Sequence, residues 1–300
     1  MTRSMIIVLG AGLMLLGAGP DAGVARAQPL RPVLLQISEA QFSRPHDLVL
    51  SPDGKFLYVA DVGNDAVQVL DPATLKVVGK IGADDLDSPH DVAFDKQGQL
   101  LVADTGNDRI AIYRVQGARG QFAGELKGGL DSPEGVAPLP DGRVVVTNAG
   151  SHDVVVLFKE QVVSRFGRGG SGPQAYVRPH DLIADPEGRL YVTDPGNNRI
   201  HILDRNFRQI GLIGPPTHSF NEPKYLHMDG KGRLYVSDEY NNVVKIFDRD
   251  LHRVAIIPPA RGGRAIRLNQ PEGVTAREGR VWISDTYNNR IVLYELRAGP

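Results

Sequence analysis

From about residue 30 the chain alternates short apolar runs with short polar turns. The segment from Arg178 to Leu203 shows one unit. A proline opens an apolar run; a polar turn follows, then a second apolar run ending in Asp, a Gly-Asn turn and a third apolar run. Runs of this length bounded by Gly, Pro, Asn and Asp read as strands, not helices. Copies open at Pro45, Pro89, Pro133, Pro179, Pro223 and Pro271, at steps of 44 to 48 residues. A period of about 40–45 residues with several strands in each repeat marks propeller blades. Six copies predict six blades.

The copies can be aligned by eye. The first strands are PHDLVL, PHDVAF, PEGVAP, PHDLIA, PKYLHM and PEGVTA. The second strands with their turns include LYVADVGND, LLVADTGND, VVVTNAGSHD, LYVTDPGNN, LYVSDEYNN and VWISDTYNN, and third strands such as RIHIL and RIVLY follow. These residues resemble the NHL repeat family over nearly all of the chain after the first 30 or so residues. The resemblance implies an all-β, six-bladed propeller of the NHL/TolB-like kind. It is specific for the fold and weak for activity.

A blade needs four strands, but the sixth repeat stops just after its third, at Pro300. Residues 31–37 (RPVLLQI) align with the last strand of blade one, LKVVGKI, one repeat earlier. The N-terminal strand is therefore predicted to pair with the segment from Arg290 to Leu296 and close the ring, covering an otherwise open edge. Each opening proline then shares one face, here called the upper face, with the turns between second and third strands. The Asp that ends strand two recurs as Asp61, Asp104, Asp194, Asp238 and Asp285, with Asn148 in the third copy. Its side chain is expected to accept N–H groups of the turn that follows, and Arg109, Arg199 and Arg290 are expected to pair with an acidic neighbour. A calcium loop is a poor account, because the turns lack alternating carboxylates.

Composition changes this picture little. The 300 residues include 34 Gly and 21 Pro, which suit many strands joined by tight turns, and no Cys. Disulfide and thiolate chemistry is thereby excluded. A net charge of −1 gives no electrostatic reason to expect nucleic acid. The N-terminus differs from the rest. Arg3, a short apolar stretch and Ala25-Arg26-Ala27 read as a signal peptide over residues 1–27, better than as a membrane anchor. The propeller would then occupy 28–300, in the periplasm or outside the cell, with no stable membrane insertion.

The position after each opening proline carries the candidate chemistry. Its occupants are His46, His90, Glu134, His180, Lys224 and Glu272, one per blade at the upper mouth of the channel. Imidazoles and carboxylates converging on one point suit zinc or another divalent ion. Inherited repeat residues lining a wet channel are the plainer account. His46, His90, His180, Glu134 and Glu272 are the candidate ligands. Asp47, Asp91 and Asp181 follow the histidines and should alternate away from the channel, to fix strands or orient imidazoles. Arg44 and Arg178 precede the proline in opposite blades and suit a carboxylate. Tyr240 and Tyr287 stand in the turns of blades five and six and suit stacking.

The Pro-His-Asp strands and the SDEYNN and SDTYNN turns also resemble peptidyl-α-hydroxyglycine α-amidating lyase, a zinc-dependent propeller. That resemblance implies a zinc-dependent lyase with Tyr240 or Tyr287 as its catalytic tyrosine. The chain departs from the family in its ligand spacing, on blades one, two and four, and in lacking cysteines. The favoured expectation is a binding module taking a peptide, protein or small ligand at the upper face, with Arg44, Arg178, Tyr240 and Tyr287 as contacts.

Overall fold

The computed structural model describes residues 29–39, 41–258 and 266–299. The expected leader, 1–27, lies outside them. Among the described residues the strands form six four-stranded antiparallel sheets. Blade one comprises Pro45–Leu50, Leu57–Asp61, Ala66–Leu70 and Val77–Ile81, ordered outward from the channel. Blades two to five repeat that order. In blade six the order is Val274–Arg277, Arg280–Asp285, Arg290–Ala298 and finally Leu30–Ile37.

The predicted closure is present. Val33 lies opposite Glu295 and Ile37 opposite Val292, with one irregularity between Leu34 and Gln36. Ser38 extends the seam: its N–H donates to Ile291 O and its Oγ accepts from Ile291 N, both at 2.9 Å. Across the ring junction, Trp282 Nε1 donates to Pro72 O of blade one at 2.8 Å. Leu30, Leu34 and Ile37 pack on the cluster shared by blades five and six.

The core is six apolar slabs, one between each pair of neighbouring blades. Tyr58, Val69, Val92 and Leu100 belong to the slab between blades one and two, and Val154, Tyr176, Leu182 and Val192 to that between three and four. Alternation in each middle strand sends residues into the slabs on both sides, so these strands are buried throughout; Leu57–Asp61 and Leu234–Asp238 are examples. No helix among the described residues is long and apolar enough to cross a membrane.

One expectation about the turns is corrected. The Asp ending strand two does not cap the short 3-10 turn after it. Instead it reaches back to the connection entering its own blade. Asp61 accepts from Ser43 N, Asp104 from Asp87 N, Asp194 from Val177 N, Asp238 from Asn221 N and Asp285 from Asn269 N, at 2.7–2.8 Å. Asn148 does the same for Asp131 N at 2.6 Å. The turn's backbone is held by its own i→i+3 bond, so the carboxylate is left for the chain segment above it. Arg109, Arg199 and Arg290 donate Nε to that same carboxylate at 2.6–2.8 Å, as the spacing predicts. In blade five Lys245 takes the arginine's place against Asp238.

A second correction concerns the inner strands. Register shifts follow the opening proline in blades one, two, three and five. A bulge breaks the strict two-residue alternation. Asp47 and Asp91 therefore do not turn away from the channel, and neither does Asp181 of blade four, whose paired strand begins only at Leu182. They line a cavity of about 330 Å³ in its lower half, with His227, Thr275 and apolar residues such as Phe94 and Met228. Asp91 Oδ2 accepts from Val136 N and Asp181 Oδ2 from Leu226 N, both at 2.6 Å, stitching each inner strand to that of the next blade. Burial raises all three carboxyls, Asp47 and Asp181 well above the usual range, with Asp91's charge as the next cause.

Candidate functional site

Each inner strand delivers its second residue to the upper mouth, because the proline before it starts the strand at that face. His46 and His180 arrive from opposite blades, with ring centroids 6.3 Å apart. Glu272 comes in beside them: its Oε2 is 3.1 Å from His46 Nδ1 and 3.8 Å from His180 Nε2. One ligand atom from each of these three residues lies within 4.8 Å of the other two. All three residues are buried. His46 Nδ1, His180 Nδ1 and Glu272 Oε2 have no hydrogen-bond partner, the short His46–Glu272 approach being misaligned for one.

The other predicted ligands stand around this trio. His90 packs edge-on against His46 at 4.6 Å and donates Nδ1–H to Ser88 O at 2.8 Å, which leaves Nε2 as its acceptor. Glu134 Oε2 is 3.4 Å from His180 Nε2, unaligned for a hydrogen bond, and its Oε1 is 3.5 Å from Arg178. Lys224 stays outside the trio, 3.5 Å from Glu239 and 3.6 Å from Glu222. Burial is the main cause of every large shift here. It holds His46 and His180 well below the usual imidazole value, brings His90 to about 4 and raises Glu272 to about 8. Two buried neutral imidazoles and a carboxyl with unshared lone pairs, with the half-buried His90 beside them, are a donor set that fits a divalent ion.

The rim is cationic and aromatic. Arg178 is largely exposed beyond its contact with Glu134. Arg44 adds a positive charge that helps depress His46. Tyr240 and Tyr287 are about half exposed on adjacent blades. Glu239 and Glu222 raise the Tyr240 phenol.

Two residues escaped the sequence reading. Tyr225 is fully buried and spans the channel from blade five to blade two, its hydroxyl donating to His90 O at 2.9 Å. Its ring stands edge-on to His180 at 4.8 Å, forming the floor of the upper chamber. Glu239 is buried beside Lys224, with one oxygen unpartnered. Comparing copies could have flagged both. Tyr225 is the sole aromatic at a position otherwise held by Asp47, Asp91, Gly135, Asp181 and Gly273. Glu239 is the sole charge where the others have Val62, Thr105, Ala149, Pro195 and Thr286.

Comparison with known proteins places this geometry in a family. The NHL repeat model matches residues 86–113 and 268–294. NHL repeat-containing protein 3 from Homo sapiens is 30% identical over 142 residues, 47% of this chain and 29% of that protein. The human E3 ubiquitin-protein ligase TRIM32 is 27% identical over 200 residues, 58% of this chain and 29% of that protein. The chain thus spans under a third of the length of these two relatives. Among solved structures, a virginiamycin B lyase from Staphylococcus aureus superposes with a TM-score of 0.61 at 12% identity, covering 86% of this chain and 82% of that one. Kuenenia stuttgartiensis hydrazine synthase gives 0.62 at 16% identity, covering 87% of this chain and 98% of that chain. At such identities the likeness is one of fold. With the six repeats, the strand closure and these matches, the chain carries NHL repeats and is built as a six-bladed β-propeller.

Proposed function

We propose that this propeller is an exported binding module whose upper channel mouth holds a divalent metal ion and, above it, a peptide, protein or small ligand. The observation that carries the metal is the convergence of His46, His180 and Glu272, buried and with lone pairs unshared. Zinc is the ion best matched to two imidazoles and a carboxylate. When bound, it would supply an electrophilic anchor for a ligand oxygen or nitrogen. Arg44, Arg178, Tyr240 and Tyr287 are the ligand contacts, since their charged and half-exposed side chains stand on the rim of this mouth. Export follows from the signal-peptide pattern and predicts a mature N-terminus at or near Gln28, read by N-terminal sequencing.

Binding is favoured over lyase chemistry by one electrostatic fact. A tyrosine acting as base needs a lowered pKa. The carboxylates beside Tyr240 raise it.

Zinc titration of the purified protein tests the reading. About one equivalent should bind, and His180→Ala and Glu272→Gln should each reduce affinity at least about tenfold to a hundredfold. His252→Ala, in the separate exposed group of Asp248, Asp250 and His252, should leave binding at the channel mouth intact. Failure of the wild type to take up metal, or full occupancy in His180→Ala, would sink the metal site.

A further inference from the structure

One kind of hydrogen bond recurs between each blade and the next at the upper face, beside threonine contacts such as Thr147 Oγ1 to His180 O. The residue before every opening proline stands in the left-handed region: Arg44, Ser88, Ser132, Arg178, Glu222 and Gln270 have φ of 47–57°. Its N–H points to the side chain of the last turn residue of the preceding blade. Asp65, Asp108, Asn198, Asn242 and Asn289 accept through an oxygen at 2.7–2.9 Å. Between blades three and four the acceptor is different. It is His152 Nδ1, 3.0 Å from Arg178 N.

A ring nitrogen accepts only while it carries no proton. Carboxylate and amide oxygens keep accepting in mild acid, whereas imidazole is the side chain whose charge ordinarily changes there. Five latches are therefore insensitive to mild acid, and one is not. The sensitive latch sits where it can matter. Arg178 occupies a conformation that persists only when its surroundings fix it. Its side chain meets Glu134, and the same chain reaches His180 two residues later. The connection before it, residues 167–177, is rich in glycine, and its backbone at Gly169 lies against the His152 ring. The charged groups on the elements around His152 are Asp131, which accepts from Ser151, the Asp153–Arg165 pair, Arg168 and Arg178.

We propose that His152 is a pH-sensitive positioning residue: once Nδ1 is protonated it releases the Arg178 amide and loosens the start of blade four, on which His180 is mounted. The latch itself stands apart from the metal reading; its effect on metal affinity rests on that reading.

Amide hydrogen exchange on the whole chain without added metal tests the latch, read on peptides covering Arg178 at about pH 7.5 and about pH 5.5 and corrected for intrinsic exchange. The wild type should lose protection there by up to about tenfold on acidification. His152→Asn, which restores the acceptor type of blades four to six, should keep it at both values, and His152→Ala should lack it at both. Peptides covering Glu222, held by Asn198, should not respond. Equal acid loss in wild type and His152→Asn, or none in wild type, overturns the proposal. If His152→Ala does not fold, the comparison of wild type with His152→Asn decides. Zinc titrations at the same two pH values read the link to the mouth. Affinity should fall more steeply with acid in wild type than in His152→Asn, and equal slopes overturn that link. If neither protein binds zinc, the metal reading fails, while the exchange result still decides the latch.

Discussion

At the scale of single residues, the channel mouth is a set of groups kept in their neutral forms by burial. His46, His90 and His180 there, and His227 in the lower cavity, are held below 6.5, with His90 and His227 near 4. The unfolded chain binds protons more readily at these sites. Their contribution to stability is thus present above about 6.5 and is lost as pH falls toward 4, by about 1.4 kcal/mol per pH unit for each imidazole being titrated. Glu272 acts in the opposite sense. Its folded value of about 8 lies above 4.5, so its contribution is present in acid and is lost as pH rises through 8. Urea midpoints of the metal-free protein should therefore decline on both sides of an intermediate optimum. Glu272→Gln should make the alkaline decline shallower, the raised Asp47 and Asp181 carboxyls sharing in it, and leave the acid one. An unchanged alkaline limb in that variant would contradict the assignment.

The same residues show how much a sequence can reveal about a site. The register of the repeats put His46, His90, Glu134, His180, Lys224 and Glu272 on one ring, since strand order alone fixes which end of a blade they occupy. Which of them approach one another depends on side-chain directions, set in four blades by the bulge after the proline, and on Tyr225 in the channel below. Neither is a property of residue type. Alternation misplaced Asp47 and Asp91 for that reason.

At the scale of elements, the repeated unit is a strand pair locked by one carboxylate. Asp194 accepts from Val177 N, Asn197 and Arg199, and lies 3.1 Å from His201 Nε2. Removing it leaves donors on four residues, from three segments of the chain, without their acceptor. Asp194→Ala should cost about 3–5 kcal/mol, measured by urea denaturation. Asp53→Ala, at an exposed lower turn, should cost far less. A cost for Asp194→Ala no larger than for Asp53→Ala would mean that the strand-two carboxylate does not lock the blade. The spacing of Asp, Asn and Arg made the pairing with Arg199 legible. The bond back to Val177 was hidden, because it joins residues 17 apart through a connection of irregular length.

At the scale of the molecule, the ring is held shut by a strand from the far end of the chain. Deleting Leu30–Ile37 uncovers the edge of Arg290–Ala298 and removes Leu30, Leu34 and Ile37 from the blade-five and blade-six slab. Each such side chain contributes roughly 1.5–3 kcal/mol when fully buried, and less here because these are partly exposed. The truncated protein should melt at lower temperature and scatter light on warming, since an open edge templates pairing with other copies. Unchanged melting without aggregation would show that closure does not stabilise the ring. This closure was legible in advance, because the sixth repeat visibly lacks a strand that residues 31–37 supply.

Tyr225 gives the molecule an order of events. With its ring beneath the histidines and its hydroxyl tied to His90 O, Tyr225 stands between the upper chamber and the lower cavity. Whatever settles at the bottom of the upper chamber must enter before its cap and leave after it. An ion there would be a prisoner of the ligand above it: its residence time could be no shorter than the ligand's, however weak its own bonds. Chelators would then strip the bare protein quickly and the capped protein only at the rate at which the cap departs.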